Sequence, residues 1–293
     1  MKIVVADKME EGAVNALREL GEVVYLPSDL IGEVKDADIL IVRSATQVTS
    51  EIVDAAKNLK IVGRAGVGLD NIDKSACDRK GITVINTPDA PTLSVAELTI
   101  GMIICVMRNV GKAHHSMRNR KWIKKELEGK EITGKTLGIL GFGRIGRAVG
   151  ERANALGMKV ISHTPHPEES AFVRFVELDM LLRESDVISL HVPLTPSTKN
   201  MINRETIGKM KDGVYLINLA RGDIVDEDAL YEACKSGKIA GAALDVYKTE
   251  PYSGKLLELD NIIFTPHIAS STKEAQLRIG EHLVRQLKEL IEK

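Results

Sequence analysis

Cysteine is scarce in this chain. Cys77, Cys105 and Cys234 are the only three in 293 residues, and they lie far apart. That excludes a disulfide framework and gives no metal-ligand spacing, so the expectation is three reduced thiols in a cytoplasmic protein with no metal. Long apolar runs are missing too. The most apolar stretch, residues 98–106, is too short to span a bilayer. The opening Met-Lys-Ile-Val-Val-Ala-Asp reads as a first strand and not as a signal peptide. Neither sign of charge dominates: 40 Lys and Arg face 41 Asp and Glu, for a net charge of -1. A nucleic-acid partner would favour a basic surface, so none is expected, nor is a membrane. No short repeat or low-complexity segment interrupts the chain.

What is present is an alternation. Short apolar runs at 3–6, 23–25, 39–42, 61–63 and 83–86 are strand candidates, separated by helix-like spacing such as 11–20 and 50–56, where Ser50 is a candidate cap. Units of this kind predict a mostly parallel sheet with helices on both faces. The pattern then changes. From Ser94 to about Asn119 runs one long helix-like stretch, apolar at Val95, Leu98, Met102, Cys105, Val106 and Val110. Alternation restarts at 136–140, continues past Ile263, and a helix from about 273 to 291 closes the chain. The expectation is an α/β protein of two units joined by a long helix, the second unit larger. The last helix fits either unit.

The strand candidate Thr136-Leu-Gly-Ile-Leu140 runs straight into Gly141-Phe-Gly143-Arg144-Ile145-Gly146, and helical character follows to Leu156. Between a strand and a helix, this glycine pattern is a strong dinucleotide fingerprint. Gly141 permits the tight turn, Gly143 lets the backbone approach a pyrophosphate, and Gly146 allows close helix–strand packing. The helix N-terminus offers N–H groups and a positive dipole end to the phosphates. An NAD site usually adds an Asp or Glu after the next strand, beside the adenosine ribose. Here the sequence reads Ser162-His163-Thr164-Pro165-His166, with no carboxylate before Glu168. Thr164 would not repel a 2′-phosphate, so NAD and NADP are both open, with Thr164 bonding a ribose hydroxyl in the first case.

Three later strand candidates end in residues that carry chemistry. One leads into Leu219-Ala220-Arg221-Gly222, one into Tyr247-Lys-Thr-Glu250-Pro251, and one into Pro266-His267-Ile-Ala269. In an open parallel sheet, ligands bind at the carboxyl ends of strands. Oxidising a secondary alcohol needs a base for the hydroxyl proton, and histidine titrates near neutrality. A carboxylate would orient the ring, and an arginine fork would hold a substrate carboxylate. His267, Glu250 and Arg221 are the residue types that fill those roles.

With these motifs in place, the chain resembles the D-isomer-specific 2-hydroxyacid dehydrogenases over essentially its whole length. The resemblance rests on residues 141–146, Asn218-Leu-Ala-Arg-Gly222, Asp245-Val-Tyr-Lys-Thr-Glu-Pro251 and Thr265-Pro-His267. It implies two Rossmann-like domains with the active site in the cleft between them: residues 1–92 plus 271–293 for substrate, and 93–270 for NAD(P). It implies catalytic roles for Arg221, Glu250 and His267. It also implies cofactor contacts from Val67, Gly141, Gly143, Arg144, Ile145, Gly146, His163, Thr164, Val192, Leu219, Ala220, Arg221, Asp245, His267 and Ala269.

Within that family the first domain is most similar to the phosphoglycerate dehydrogenases, through Val42-Arg43-Ser44-Ala-Thr46, residues 63–73, Asn86-Thr-Pro88 and 94–98. The similarity implies substrate contacts from Arg43, Ser44, Val67, Gly68, Arg221 and His267. It further implies a homodimer built around the helix from Ser94, with Lys124 or Lys125 reaching a partner's substrate. Lys121-Trp122-Ile-Lys124-Lys125 reads equally as a solvated charge run. His163 and His166 look more like the NADPH-using glyoxylate/hydroxypyruvate reductases. The regulatory domains that some phosphoglycerate dehydrogenases carry after this core are not in the sequence, so serine feedback through one is not expected. Two enzymatic readings follow, phosphoglycerate oxidation and NADPH-linked reduction of glyoxylate or hydroxypyruvate. A third is a nucleotide-sensing corepressor, against which the complete catalytic set speaks. Formate oxidation fits less well, because it does not require the acid–base work that Glu250 suits.

Overall fold

The computed structural model describes residues 1–292, which form two compact units, one of residues 1–92 with 270–292 and the other of Leu93–Ala269. Elements are numbered along the chain. The first unit holds strands β1 (Lys2–Val5), β2 (Glu22–Tyr25), β3 (Ile39–Val42), β4 (Ile61–Arg64) and β5 (Thr83–Asn86). Its helices are α1 (Glu11–Arg18), α2 (Leu30–Val34), α3 (Ser50–Ala55), α4 (Lys74–Arg79) and the final α11 (Lys273–Ile291). The strands are all parallel in the order β2-β1-β3-β4-β5. Alternate residues feed two cores: Ile3, Val5, Ile41 and Leu283 pack on one face, and Val4, Leu40, Val42 and Val62 on the other. Both faces are covered, which is why β3 is buried at every position.

The second unit begins with α5 (Thr92–Met107) and α6 (Val110–Arg118). Strands β6 (Thr136–Leu140), β7 (Lys159–His163), β8 (Val173–Phe175), β9 (Val187–Leu190), β10 (Val214–Asn218), β11 (Ile239–Leu244) and β12 (Ile262–Phe264) follow. The helices between them are α7 (Arg144–Ala155), α8 (Leu178–Glu184), α9 (Arg204–Lys209) and α10 (Glu227–Ser236). The sheet is parallel, in the order β12-β11-β10-β9-β6-β7-β8. Counted from β6, this is the doubly wound dinucleotide-binding order with one added strand.

Two expectations are corrected. The stretch from Ser94 to Asn119 is not one helix: α5 and α6 meet at a 68° bend. Asn109 sits there in the left-handed region (φ 54°) and donates from Nδ2 to the Glu128 carbonyl at 3.1 Å. Asparagine adopts that conformation more readily than most residues, so the apolar pattern continues through a broken backbone. Helix α3 is capped by Thr49 and not Ser50. Thr49 holds the extended backbone a cap requires and accepts from Ile52 N. Among the described residues, no single helix is long and apolar enough to cross a membrane.

Candidate active site

Strand order reverses between β6 and β9 in the larger sheet, and a crevice opens at such a point. Gly141 lies on its lip. Its φ is 90°, and a Cβ there would come within 2.6 Å of the His191 carbonyl oxygen, so only glycine fits. A Cβ on Gly146 would strike the Gly141 carbonyl, which explains how closely α7 packs on β6. Gly143 is different: a Cβ there would point into open space, and the residue caps α7 without any side-chain bond. The first N–H groups of α7 therefore have no side-chain cap and lie beside an open cradle. That is what a pyrophosphate requires, and the residues fit a dinucleotide. Arg144 is exposed, Ile145 and Val192 are half-buried, and Gly146 is buried.

At the end of β7, His163 is half-buried and its Nδ1 lies 3.1 Å from the Val176 carbonyl oxygen, so that nitrogen carries the proton. Thr164 is half-buried and His166 exposed. On the lip itself, His191 follows β9, and burial pushes its pKa down to about 4. It is a neutral imidazole at ordinary pH, 2.8 Å from Ser189 Oγ.

The chemistry-bearing residues follow β10, β11 and β12. His267 and Glu250, from two different loops, meet at 2.9 Å between Nδ1 and Oε2. A carboxylate accepts, so Nδ1 holds the proton and Nε2 carries the lone pair. The His267 side chain is 35% exposed, enough for a substrate to reach it. Its backbone is left-handed, with φ 52°. Buried Asp245 makes that conformation persist. Its carbonyl accepts from His267 N at 2.9 Å, and its carboxylate accepts from Thr265 Oγ1 at 2.6 Å, Ile268 N at 2.8 Å and Ala269 N at 2.9 Å. Three good acceptor contacts compensate a carboxylate that burial alone would penalise.

Arg221 is half-buried, and one of its guanidinium nitrogens, Nη1, donates to the Ala220 carbonyl at 2.7 Å. Asn218, 1% exposed, clamps the turn from both ends: Oδ1 accepts from Ala220 N at 3.0 Å, and Nδ2 donates to the Arg221 carbonyl at 2.9 Å. Leu219 is buried and Ala220 half-buried beside it. Gly222 lies against the backbone of Tyr247 and Lys248 so closely that a Cβ would overlap it, which presses the Arg221 loop onto the Glu250 loop. Tyr247 Oη donates toward the Leu244 and Thr265 carbonyls, at 3.0 and 2.8 Å. Burial pushes its pKa up to about 12, so it stays a donor. Asn218, Gly222, Tyr247 and Thr265 have no reactive role and were not singled out for one in the sequence. Their shared signal is a polar or small residue at a strand end.

In the first unit the order reverses between β1 and β3, and Asp7 and Arg43 follow those two strands. Asp7 accepts from Arg43 N at 2.5 Å, Thr46 N at 3.2 Å and Thr46 Oγ1 at 2.6 Å. Asn71 Nδ2 donates to the Arg43 and Thr46 carbonyls, both at 2.7 Å. The Arg43–Thr46 turn is thus held from two sides, with Ser44 exposed at its tip. Arg43 Nη1 donates to the Lys8 carbonyl at 3.0 Å, while its buried Nε has no partner among the described residues. Burial lowers its pKa, although Asp7 opposes the shift. At the end of β4, the Arg64 guanidinium lies directly over Gly66, where any Cβ would overlap it. Arg64 was passed over in the sequence because it looks like one more strand-end cation. Half-buried Val67 and Gly68 follow, and Val67 O accepts from Asn86 Nδ2 at 2.5 Å.

Residues 100–269 match the model of the D-isomer specific 2-hydroxyacid dehydrogenase, NAD binding domain. The chain belongs to the D-isomer specific 2-hydroxyacid dehydrogenase family. It is 53% identical to a hydroxypyruvate reductase of Thermotoga maritima over 264 residues, covering 88% of this chain and 86% of the relative. It is 46% identical to a D-3-phosphoglycerate dehydrogenase of Methanocaldococcus jannaschii over 301 residues, covering 99% of this chain and 57% of that one. The chain spans about half the length of the D-3-phosphoglycerate dehydrogenases it matches. A D-lactate dehydrogenase from Aquifex aeolicus, solved with NAD and lactic acid, superimposes with a TM-score of 0.90. It shares 36% identity over 100% of this chain and 96% of that one. The fold of two parallel-sheet units and the nicotinamide-binding domain expected from the sequence are those of this family.

Proposed function

We propose that this family member moves a hydride between a D-2-hydroxy acid and a nicotinamide dinucleotide, with His267 as general base and acid. The contact between His267 Nδ1 and Glu250 Oε2 carries the reading, because it leaves Nε2 basic and reachable. Oxidation removes two things from the substrate: the O2 proton and a hydride from C2. Bound nicotinamide supplies the hydride acceptor. His267 Nε2 takes the O2 proton as the carbon–oxygen double bond forms, and returns it in the reverse direction. Glu250 stabilises the charged ring. The Arg221 guanidinium pairs with the substrate carboxylate and polarises the forming carbonyl.

For the substrate we favour 3-phosphoglycerate. Arg43 follows β3 and Arg64 ends β4 in the first sheet, and Arg43 Nε has no partner among the described residues. A phosphate dianion rewards a guanidinium more than a neutral hydroxyl does. The second reading is hydroxypyruvate reduction, which the Thermotoga maritima relative supports. A panel of both acids with NAD(H) and NADP(H) tests the choice, together with Arg43→Ala. We expect Arg43→Ala to weaken 3-phosphoglycerate much more than glycerate; equal loss for both would favour hydroxypyruvate.

We also propose a homodimer through α5, α6 and the segment after them. Ile104, Val110, Met117 and Trp122 are exposed there, Trp122 at 79%. Light scattering at micromolar concentration should give twice the 32.0 kDa chain mass; a monomer mass would contradict the assembly.

A further inference from the structure

The fingerprint lacks a carboxylate directly after β7, yet one arrives from further along. Glu168, in the loop that follows β7, forms an ion pair with Arg147 Nη2, although the two are 21 residues apart. Arg147 belongs to the first turns of α7, next to Gly146. Its guanidinium carbon stands 5.4 Å from the centre of the Phe142 ring, inside the fingerprint itself. The pair therefore joins the helix that cradles a pyrophosphate to the loop where the adenosine ribose belongs. His163, another cation candidate of this region, already donates from Nδ1 to the Val176 carbonyl.

We propose that Arg147 and Glu168 are a cofactor-selecting pair, a reading that rests on the dinucleotide site above. A dinucleotide with a free 2′-hydroxyl leaves the pair intact, and Glu168 supplies the negative charge that Thr164 does not. A 2′-phosphate brings two negative charges toward Glu168 and has to take its place on Arg147. Both side chains are partly open to water, at 36% for Arg147 and 69% for Glu168. The selection is accordingly modest and easily reversed: an exposed ion pair is weak, and a phosphate is a strong guanidinium ligand. The wild-type chain binds NADH more tightly than NADPH, and one substitution removes the difference.

The test measures dissociation constants of NADH and NADPH by nicotinamide fluorescence, without turnover. The variants are Glu168→Gln, Arg147→Met (which keeps an apolar stem over Phe142) and the double variant. Removing one like charge near a dianion should tighten NADPH by about five- to tenfold in Glu168→Gln, with NADH changed by less than about threefold. The double variant should lose that gain, because Arg147 is what captures the phosphate. An unchanged NADH:NADPH ratio in Glu168→Gln, with both cofactors still bound, would overturn the inference and leave the dinucleotide site standing. So would a gain that survives in the double variant, or a wild type that prefers NADPH. Failure of the wild type to bind either cofactor would instead overturn the site itself.

Discussion

Two loops at the carboxyl edge of the second sheet are held in opposite ways. Residues 265–269 hang on Asp245, fully buried, with its carboxylate committed to Thr265, Ile268 and Ala269. The loop after β7 is tied to α7 by an exposed ion pair between Arg147 and Glu168. Buried charge-assisted bonds fix geometry to fractions of an ångström, because breaking one leaves a charge or an N–H stranded. Exposed pairs contribute little and rearrange cheaply. In the reading proposed here, the first loop places the proton carrier and the second accommodates one of two cofactors. Precision and adjustability come from the same residue types at different depths.

Asp245→Ala breaks that contrast most severely. It leaves the buried Ala269 N–H and the part-buried Ile268 N–H and Thr265 hydroxyl without their acceptor, and should lower unfolding free energy by about 2 kcal/mol in urea titration. Activity should fall with it, whereas Glu168→Ala should leave the unfolding midpoint within error. A fully active, fully stable Asp245→Ala protein would mean that the buried network does not position His267.

Arg221→Lys sharpens the comparison at the reacting end. The loop stays clamped by Asn218, but an ammonium cannot reproduce a planar two-point contact, and kcat/KM should drop about a hundredfold. Near-normal kinetics would make Arg221 a structural residue.

How much of this was legible in the sequence follows the same division. The strand–turn–helix at 136–146 was readable because Gly141 and Gly146 are demanded by backbone geometry that few other sequences satisfy. The three reactive residues were readable because each lies in the loop that follows a strand. Asp7, Asn71 and Tyr247 were not, since their work is to bond segments that the fold, and not the chain, brings near. The Arg147–Glu168 pair was hidden for the same reason: Glu168 looked too late to serve the ribose. The bend at Asn109 was invisible because no Pro marks it, Gly111 falls inside α6, and the apolar pattern runs on.

His191 allows a weaker test on the lip between β6 and β9. Its folded pKa of about 4 lies below the ordinary 6.5, so the unfolded chain takes up the proton first. It therefore costs no stability above pH 6.5. Stability is lost as pH falls from 6.5 to 4, on the order of 2 kcal/mol once its partial exposure is allowed for. His191→Gln should flatten the melting temperature across that window; an unchanged profile would mean the histidine is solvated. The smallest effect expected is from Thr164→Asp, which adds a second negative charge near Glu168 and should weaken NADPH further by a few-fold, read as a dissociation constant.

The central claim, that His267 carries the substrate proton, is tested most directly by His267→Ala assayed for both turnover and NADH binding. Turnover should fall by about 10²–10⁴-fold while the NADH dissociation constant stays within a few-fold of wild type. Turnover within a few-fold of wild type would contradict it.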